Sequence, residues 1–430
     1  MFLHIVYILR TTCPSGQNIR VDPEDNPMSG KMQVVVFATL LACCAYAAGQ
    51  QLTAVHTFVC KNPQEIGPCP EGGGANSLIQ ASDGNFYGTA ERTRKGGAAP
   101  AGGLIFSLTP SGTFTTLYKF APGKTKTYPN GAGPNRLIEG PDGKLYGDTG
   151  VGGSLGSGVL FRVDKNGMKY QVLQNYSINP SAANGSTPTS LVAGNDGNVY
   201  GTTFYGGSNS CGYGNNCGTL FQVNTATGAY KVVVNFDVAT SGMNPTNLVV
   251  GPDGTFYGST NNGSILFHYI EATGELQTTA LAFPEIGGFA TGGAVTAIGP
   301  DGNLYGTYTG VLAGGIGLFE VQLDGNNLQL FPLYTTDQNV SPDGLALASD
   351  GNFWMTEYYG SHGFGDIVTL SPKDGSLIQT LTPFSFTSAD GGAPVELFSA
   401  TGGALWGVSS LYGQAPKGSY GEGVLFTLTP

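Results

Sequence analysis

Short runs in which apolar and polar residues alternate follow one another from about residue 52 to the end of the chain, as in Gly218–Val223, Tyr230–Phe236, Thr246–Pro252 and Thr255–Thr260. Alternation sends successive side chains to opposite faces of an extended backbone, and these runs are rich in β-branched and aromatic residues, so each predicts a strand. Between them stand Asp-Gly, Asn-Gly and Thr-Gly pairs, which accept the positive φ of a hairpin turn. No stretch carries a 3.6-residue apolar period. The expectation is an all-β chain.

One string recurs at a regular interval. DGNFYG at Asp83–Gly88 returns as DGKLYG at Asp142–Gly147, DGNVYG at Asp196–Gly201, DGTFYG at Asp253–Gly258 and DGNLYG at Asp301–Gly306. DGNFW at Asp350–Trp354 and the degenerate GGALWG at Gly402–Gly407 complete the series, with steps of 48 to 59 residues between copies. That period fits one four-stranded propeller blade per repeat. Leu52–Phe58 reads as a fourth strand without its first three, and Gly423–Pro430 as a third strand without a fourth. Joining the two removes both unpaired edges. The expected fold is therefore a seven-bladed β-propeller closed by the N-terminal strand joining the C-terminal blade, over residues 50–430. The aromatic residue at a fixed place in every repeat (Tyr87, Tyr146, Tyr200, Tyr257, Tyr305, Trp354, Trp406) reads as packing, and the Asp of each Asp-Gly pair as a turn former.

The string DGNFYGT followed by Gly-Gly and by G-(T/V)-LFxV resembles the tandem repeats of secreted bacterial proteins of the GloVer type across residues 52–430. The resemblance implies an exported repeat protein. DGNFWMTE at Asp350–Glu357 separately resembles a repeat of the streptogramin lyase propellers.

Composition agrees with the strand reading. The chain's 69 Gly and 25 Pro in 430 residues make about 22 % turn-formers, against roughly 12 % in average proteins, which argues against a helical fold. Residues 32–49, with Lys31 ahead and small residues around Ala45–Gly49, resemble a secretory signal peptide, and residues 1–31 an upstream extension. The apolar run is shorter than the roughly 20 residues of a spanning helix, so no integral span is expected in the mature form. Leu40–Cys43 also resembles a bacterial lipobox, which would place a lipid anchor on Cys43. Secreted, cell-surface or periplasmic location follows from either reading. The four cysteines outside the leader fall in two close pairs, Cys60 with Cys69 and Cys211 with Cys217, which predicts two short-loop disulfides; neither spacing matches a zinc knuckle.

The formal charge of −11 disfavours nucleic acid as a partner. The charge is lopsided: residues 50–169 hold 12 Lys and Arg against 8 Asp and Glu, whereas residues 170–430 hold 3 against 18. Arg92, Arg94 and Lys95, with Lys124 and Lys126, sit on two connections assigned to one face of adjacent blades, a candidate patch for an anionic glycan. Tyr205, Tyr308, Tyr359 and Tyr412 follow second strands and are candidate rings for a sugar face. Glu357, His362 and Asp366, on or beside one connection of the sixth repeat, could act as base and acid in a propeller lyase or hydrolase. No motif calls for a cofactor or a metal. The expected protein is a monomer that binds an extracellular polymer or glycan; an enzyme and an adhesive surface protein are the alternatives. The disulfide assignment is checked by thiol titration of the exported chain under denaturing conditions: none of these four cysteines should react, and two reactive thiols would refute the pairing.

Overall fold

The computed structural model describes residues 52–60, 73–90, 102–121, 127–212, 214–260, 265–281, 283, 285–286, 289–290, 292–309, 316–334, 342–357, 365–381, 392–411 and 420–430. Among these there is no helix, and seven four-stranded antiparallel sheets form the blades of a propeller. The first blade runs outward through Ala75–Gln80, Phe86–Ala90, Leu104–Leu108 and Phe114–Lys119. Blades two to six repeat the order from innermost strands Ala132–Glu139, Ser186–Ala193, Pro245–Val250, Gly292–Ile298 and Pro342–Leu347.

The seventh blade closes the ring as expected. Its strands Gly392–Ser399, Leu405–Leu411 and Tyr420–Leu428 are followed outward by Leu52–Cys60, with Leu52 opposite Leu428 and Thr57 opposite Val424. Two small hairpins add to the scheme, Ser210–Gly212 with Asn215–Asn216 and Glu285–Ile286 with Phe289–Ala290. The first lies in a connection that the alternation pattern left as a loop. Its ends are tied by the expected Cys211–Cys217 disulfide, with Cα atoms 5.2 Å apart, which fits an oxidising compartment. The expected Cys60–Cys69 bond, the leader and the extension lie outside the described residues. Among the described residues no helix is long and apolar enough to cross a membrane.

The recurring string explains itself in three contacts. The Asp accepts the backbone N–H two residues on and, through its other oxygen, the phenol four residues on: Asn85 N to Asp83 Oδ1 is 3.1 Å and Tyr87 Oη to Asp83 Oδ2 is 2.8 Å. Asp142–Tyr146, Asp196–Tyr200, Asp253–Tyr257 and Asp301–Tyr305 repeat the phenol bond, and Asp350 takes the indole N–H of Trp354. Burial, with the neighbouring carboxylate, pushes these phenols up, that of Tyr146 to about 12.

The ring of each string, held by the Asp in blades one to six, packs on the next blade. Trp406 stacks on Phe86 at 4.0 Å, Tyr200 meets Phe256 at 4.7 Å and Tyr305 meets Phe353 at 4.5 Å. In the other blades Tyr87, Tyr146, Tyr257 and Trp354 share clusters with Leu145, Val199, Leu304 and Leu405. The core is thus seven wedges, one between each pair of neighbours.

The Gly after each Tyr answers to a close approach. A Cβ on Gly88 would run into the ring of Phe106 and the carbonyl of Ser77; Gly147, Gly201, Gly258, Gly306 and Gly407 face Phe161, Phe221, Phe267, Phe319 and Phe426 in the same way. The sixth blade exchanges both members together, pairing Met355 with Val368. Removal of residues 50–59 strips the outer strand from the last blade and takes with it Phe58, which is fully buried against Phe106, Val408 and Leu425. The expected cost is several kcal/mol, read as a lowered thermal midpoint; an unchanged midpoint would overturn closure by this strand.

Candidate functional site: the axial channel

The innermost strands of all seven blades line a central cavity of about 620 Å³. The lining residues Asn76, Ser77, Pro188 and Asn247 lie in the first half of their strands, away from the Asp-Gly turns and toward the end where second strands finish. Most of the wall is short and polar, and neighbouring blades are stitched there by hydroxyls. Ser190 Oγ accepts Leu248 N at 3.0 Å, Thr89 Oγ1 donates to Asn135 O at 2.7 Å, and Thr202 Oγ1 donates to Thr246 O at 2.8 Å.

Three ionisable residues break this pattern. At the inner-strand position that holds Ser77, Ser190 and Asn247, the second blade has Arg136 and the seventh has Glu396. At the second-strand position of Thr89 and Thr202, the second blade has Asp148. Glu396 keeps the stitching role, for its Oε2 accepts Leu78 N at 2.6 Å. Its contact with solvent is the channel itself. Burial pushes its carboxyl up to about 7, against the opposing pull of Leu78 N–H, Arg136 and Ser77.

Asp148 is fully buried. Its Oδ2 accepts Asn135 Nδ2 at 2.8 Å, and its Oδ1 has no hydrogen-bond partner. Burial raises its pKa, with Arg136 and Asn135 resisting. A raised value favours the neutral acid, whose O–H is the donor that Thr89 and Thr202 supply in the first and third blades. Arg136 differs from both. Its one hydrogen bond among the described residues is a long one, Nη1 to Pro188 O at 3.5 Å, and it forms no ion pair there. A guanidinium has five N–H donors, so most of its capacity is turned to the cavity.

The residues singled out from sequence fare unevenly. Glu357 and Asp366 come together as register partners on adjacent strands of the sixth blade, both fully buried, rather than on a solvated loop; Thr203 and Thr219 hold the corresponding places in the third blade. Tyr308 is 3 % exposed and packs in the core near Phe283 and Phe319, so its ring is not offered to a ligand. Tyr205 is half-buried and lines a second, smaller cavity of about 120 Å³ with Cys211, Asn215, Asn216, Met243 and Asn244. Arg92, Arg94, Lys95, Lys124, Lys126, Tyr359, His362 and Tyr412 lie outside the described residues. Arg136, Asp148 and Glu396 were missed. Their signal in the sequence is positional: each is a charge where the other repeats carry a neutral residue, Ser, Asn, Ala or Gly on the inner strand and Thr, Ser or Val on the second.

The Gloeobacter/Verrucomicrobia repeat matches residues 45–269, more than half of the sequence and four Asp-Gly strings long. The chain belongs to this repeat family. No curated protein sequence matches it. Among solved structures it is similar to a streptogramin B lyase, with a TM-score of 0.57 and 16 % identity over 89 % of this chain and 98 % of that one. A catalytically inactive virginiamycin B lyase from Staphylococcus aureus with quinupristin gives a TM-score of 0.55 and 16 % identity over 89 % and 99 %. At this identity the likeness is one of fold. It agrees with the resemblance carried by Asp350–Glu357.

The shifted carboxyl of Glu396 fixes a pH dependence. Between its ordinary value of 4.5 and about 7 the folded chain keeps a proton that the unfolded chain releases, so this group's contribution to stability falls as pH rises through that window, by at most about 3 kcal/mol. Glu396→Gln keeps an acceptor for Leu78 N and lacks the titration. Its thermal midpoint relative to the parent should climb from pH 5 to pH 8; a constant difference would show that Glu396 titrates normally.

Proposed function

We propose that this is an exported, monomeric propeller that binds a polar extracellular ligand, a carbohydrate or the end of such a polymer, in its axial channel. The observation that carries the reading is the side chain of Arg136, which lines a cavity of about 620 Å³ and has one long hydrogen bond among the described residues. Amides of Asn76 and Asn247 share the wall, as a ligand rich in hydroxyls requires. Arg92, Arg94, Lys95, Lys124 and Lys126 and the rings of Tyr205, Tyr359 and Tyr412 are proposed as further ligand contacts. The Cys211–Cys217 disulfide supports an extracellular or periplasmic setting.

A second reading is an enzyme of the propeller lyase or hydrolase kind. It is favoured by Glu396, held near 7 in the same cavity, where a carboxyl can both take and return a proton at neutral pH. Glu357, His362 and Asp366 remain the alternative acid and base for that reading.

Glycan-array screening of residues 50–430, followed by calorimetry on the hits, tests the binding reading. Asn247→Ala and Arg136→Ala should each weaken binding about tenfold or more while the chain stays folded by circular dichroism. Binding that survives both changes but is lost in Arg92→Ala plus Lys124→Ala would move the site to the connections.

A further inference from the structure

We infer that the axial channel is a carboxylate site: Arg136 receives the carboxylate of a sugar acid, and the amides and hydroxyls around the channel wall take its hydroxyl groups. This rests on the channel being the ligand site and names the chemical class that the site selects.

The first argument is what Arg136 does not do. At the same inner-strand position Ser190 accepts the backbone N–H of Leu248 in the next blade, and Glu396 accepts that of Leu78. An arginine can accept nothing, and the one hydrogen bond of Arg136 among the described residues is the 3.5 Å contact with Pro188 O. Structural stitching therefore does not account for it. A guanidinium with free, coplanar N–H groups matches a carboxylate in bidentate fashion.

The second argument is charge balance. The charged groups acting at this point are Arg136, Glu396 and Asp148, and burial favours the protonated form of both acids. The strands packed against Glu396 otherwise present Ser77 and Leu78 on one side and Gly344 and Leu345 on the other, with no further charge among the described side chains. Burial works against a negative charge on either acid, so the guanidinium is the charge that the channel wall offers a ligand, and a single carboxylate matches it.

The third argument is the make-up and size of the channel, whose wall carries Asn76, Asn247 and Thr296 as well as Arg136. About 620 Å³ is room for one or two sugar rings by the usual scale of ligand sites.

A bound carboxylate places a negative charge on Arg136 and reduces its pull on Glu396, so binding near neutral pH should draw a proton onto Glu396. The test is calorimetry with D-galacturonate, D-glucuronate and D-gluconate beside neutral D-galactose and D-glucose, at pH 6 and 8 and in buffers of different ionisation enthalpy. At least one acid should bind ten or more times tighter than its neutral counterpart and weaken from pH 6 to 8. Binding should take up a fraction of a proton that vanishes in Glu396→Gln, and Arg136→Gln, close in shape and uncharged, should erase the preference for acid.

Equal affinity for acid and neutral sugar would overturn the carboxylate assignment and leave the channel reading intact. Sulfate or inorganic phosphate competing as well as the sugar acids would overturn it in favour of a general anion site. Binding of the acids without proton uptake at either pH would overturn the coupling to Glu396. Failure of every sugar, acid or neutral, would remove the channel reading and this inference together.

Discussion

The contact on which the rest of this propeller depends is an aromatic ring of one blade lying against the neighbouring second strand of the next. The ring cannot rotate away, because its phenol is hydrogen-bonded to the Asp of its own turn, as in Tyr200 to Asp196 at 2.8 Å. Turn geometry, ring orientation and blade spacing are therefore one coupled unit in blades one to six; in the seventh, Gly402 stands in the Asp place and Trp406 keeps the packing on Phe86. Each wedge places an apolar body between sheets and a polar tip at the rim, which suits Tyr better than Phe. In the sixth blade Trp354 keeps the arrangement with its N–H, so the constraint concerns a ring with a donor at its edge rather than a particular residue.

Because the wedges carry the packing, the channel wall is free to carry something else. In most blades it carries hydroxyls and amides, the cheapest groups to keep satisfied in a narrow polar bore. Arg136, Asp148 and Glu396 are costly replacements, since an ionised side chain loses hydration when walled in and a well-packed neutral residue serves stability as well or better. Their concentration on the second and seventh blades, either side of the first, makes one sector of an otherwise uniform ring electrically distinct. Residues that break a repeat at the cost of burial are more readily explained by a ligand than by the fold.

The strand order, the blade count and the closing strand could all be read from the sequence, because each rests on a local signal repeated seven times. Alternation marked Tyr230–Phe236 and the structure has a strand at Tyr230–Asn235; the turn string marked Asp253–Gly258 and the structure has the turn and bond it implies. The channel residues were not legible in that way. Their meaning comes from the register that aligns Arg136 with Ser190 and Glu396 with Ser77, and register emerges only after seven strands have been superposed in space. Tyr308 misled for the complementary reason: its place after a second strand suggested a surface, while the side chain turns inward against Phe319. Glu357 and Asp366 were paired by the strands beneath a connection that sequence alone assigned to solvent.

The pairing of Leu52–Cys60 with Tyr420–Leu428 sets the order in which the molecule can be finished. The strand made first has its partner made last, so every blade between them must find its place while that edge is still open. Contacts so distant along a chain form slowly, since the whole intervening loop must be ordered before they reward it. A newly made chain is consequently an incomplete ring with adhesive edges until the strand Tyr420–Leu428 is in place, a state prone to aggregation if it is held for long. The contact that locks the ring is therefore the one that joins the strands most distant along it.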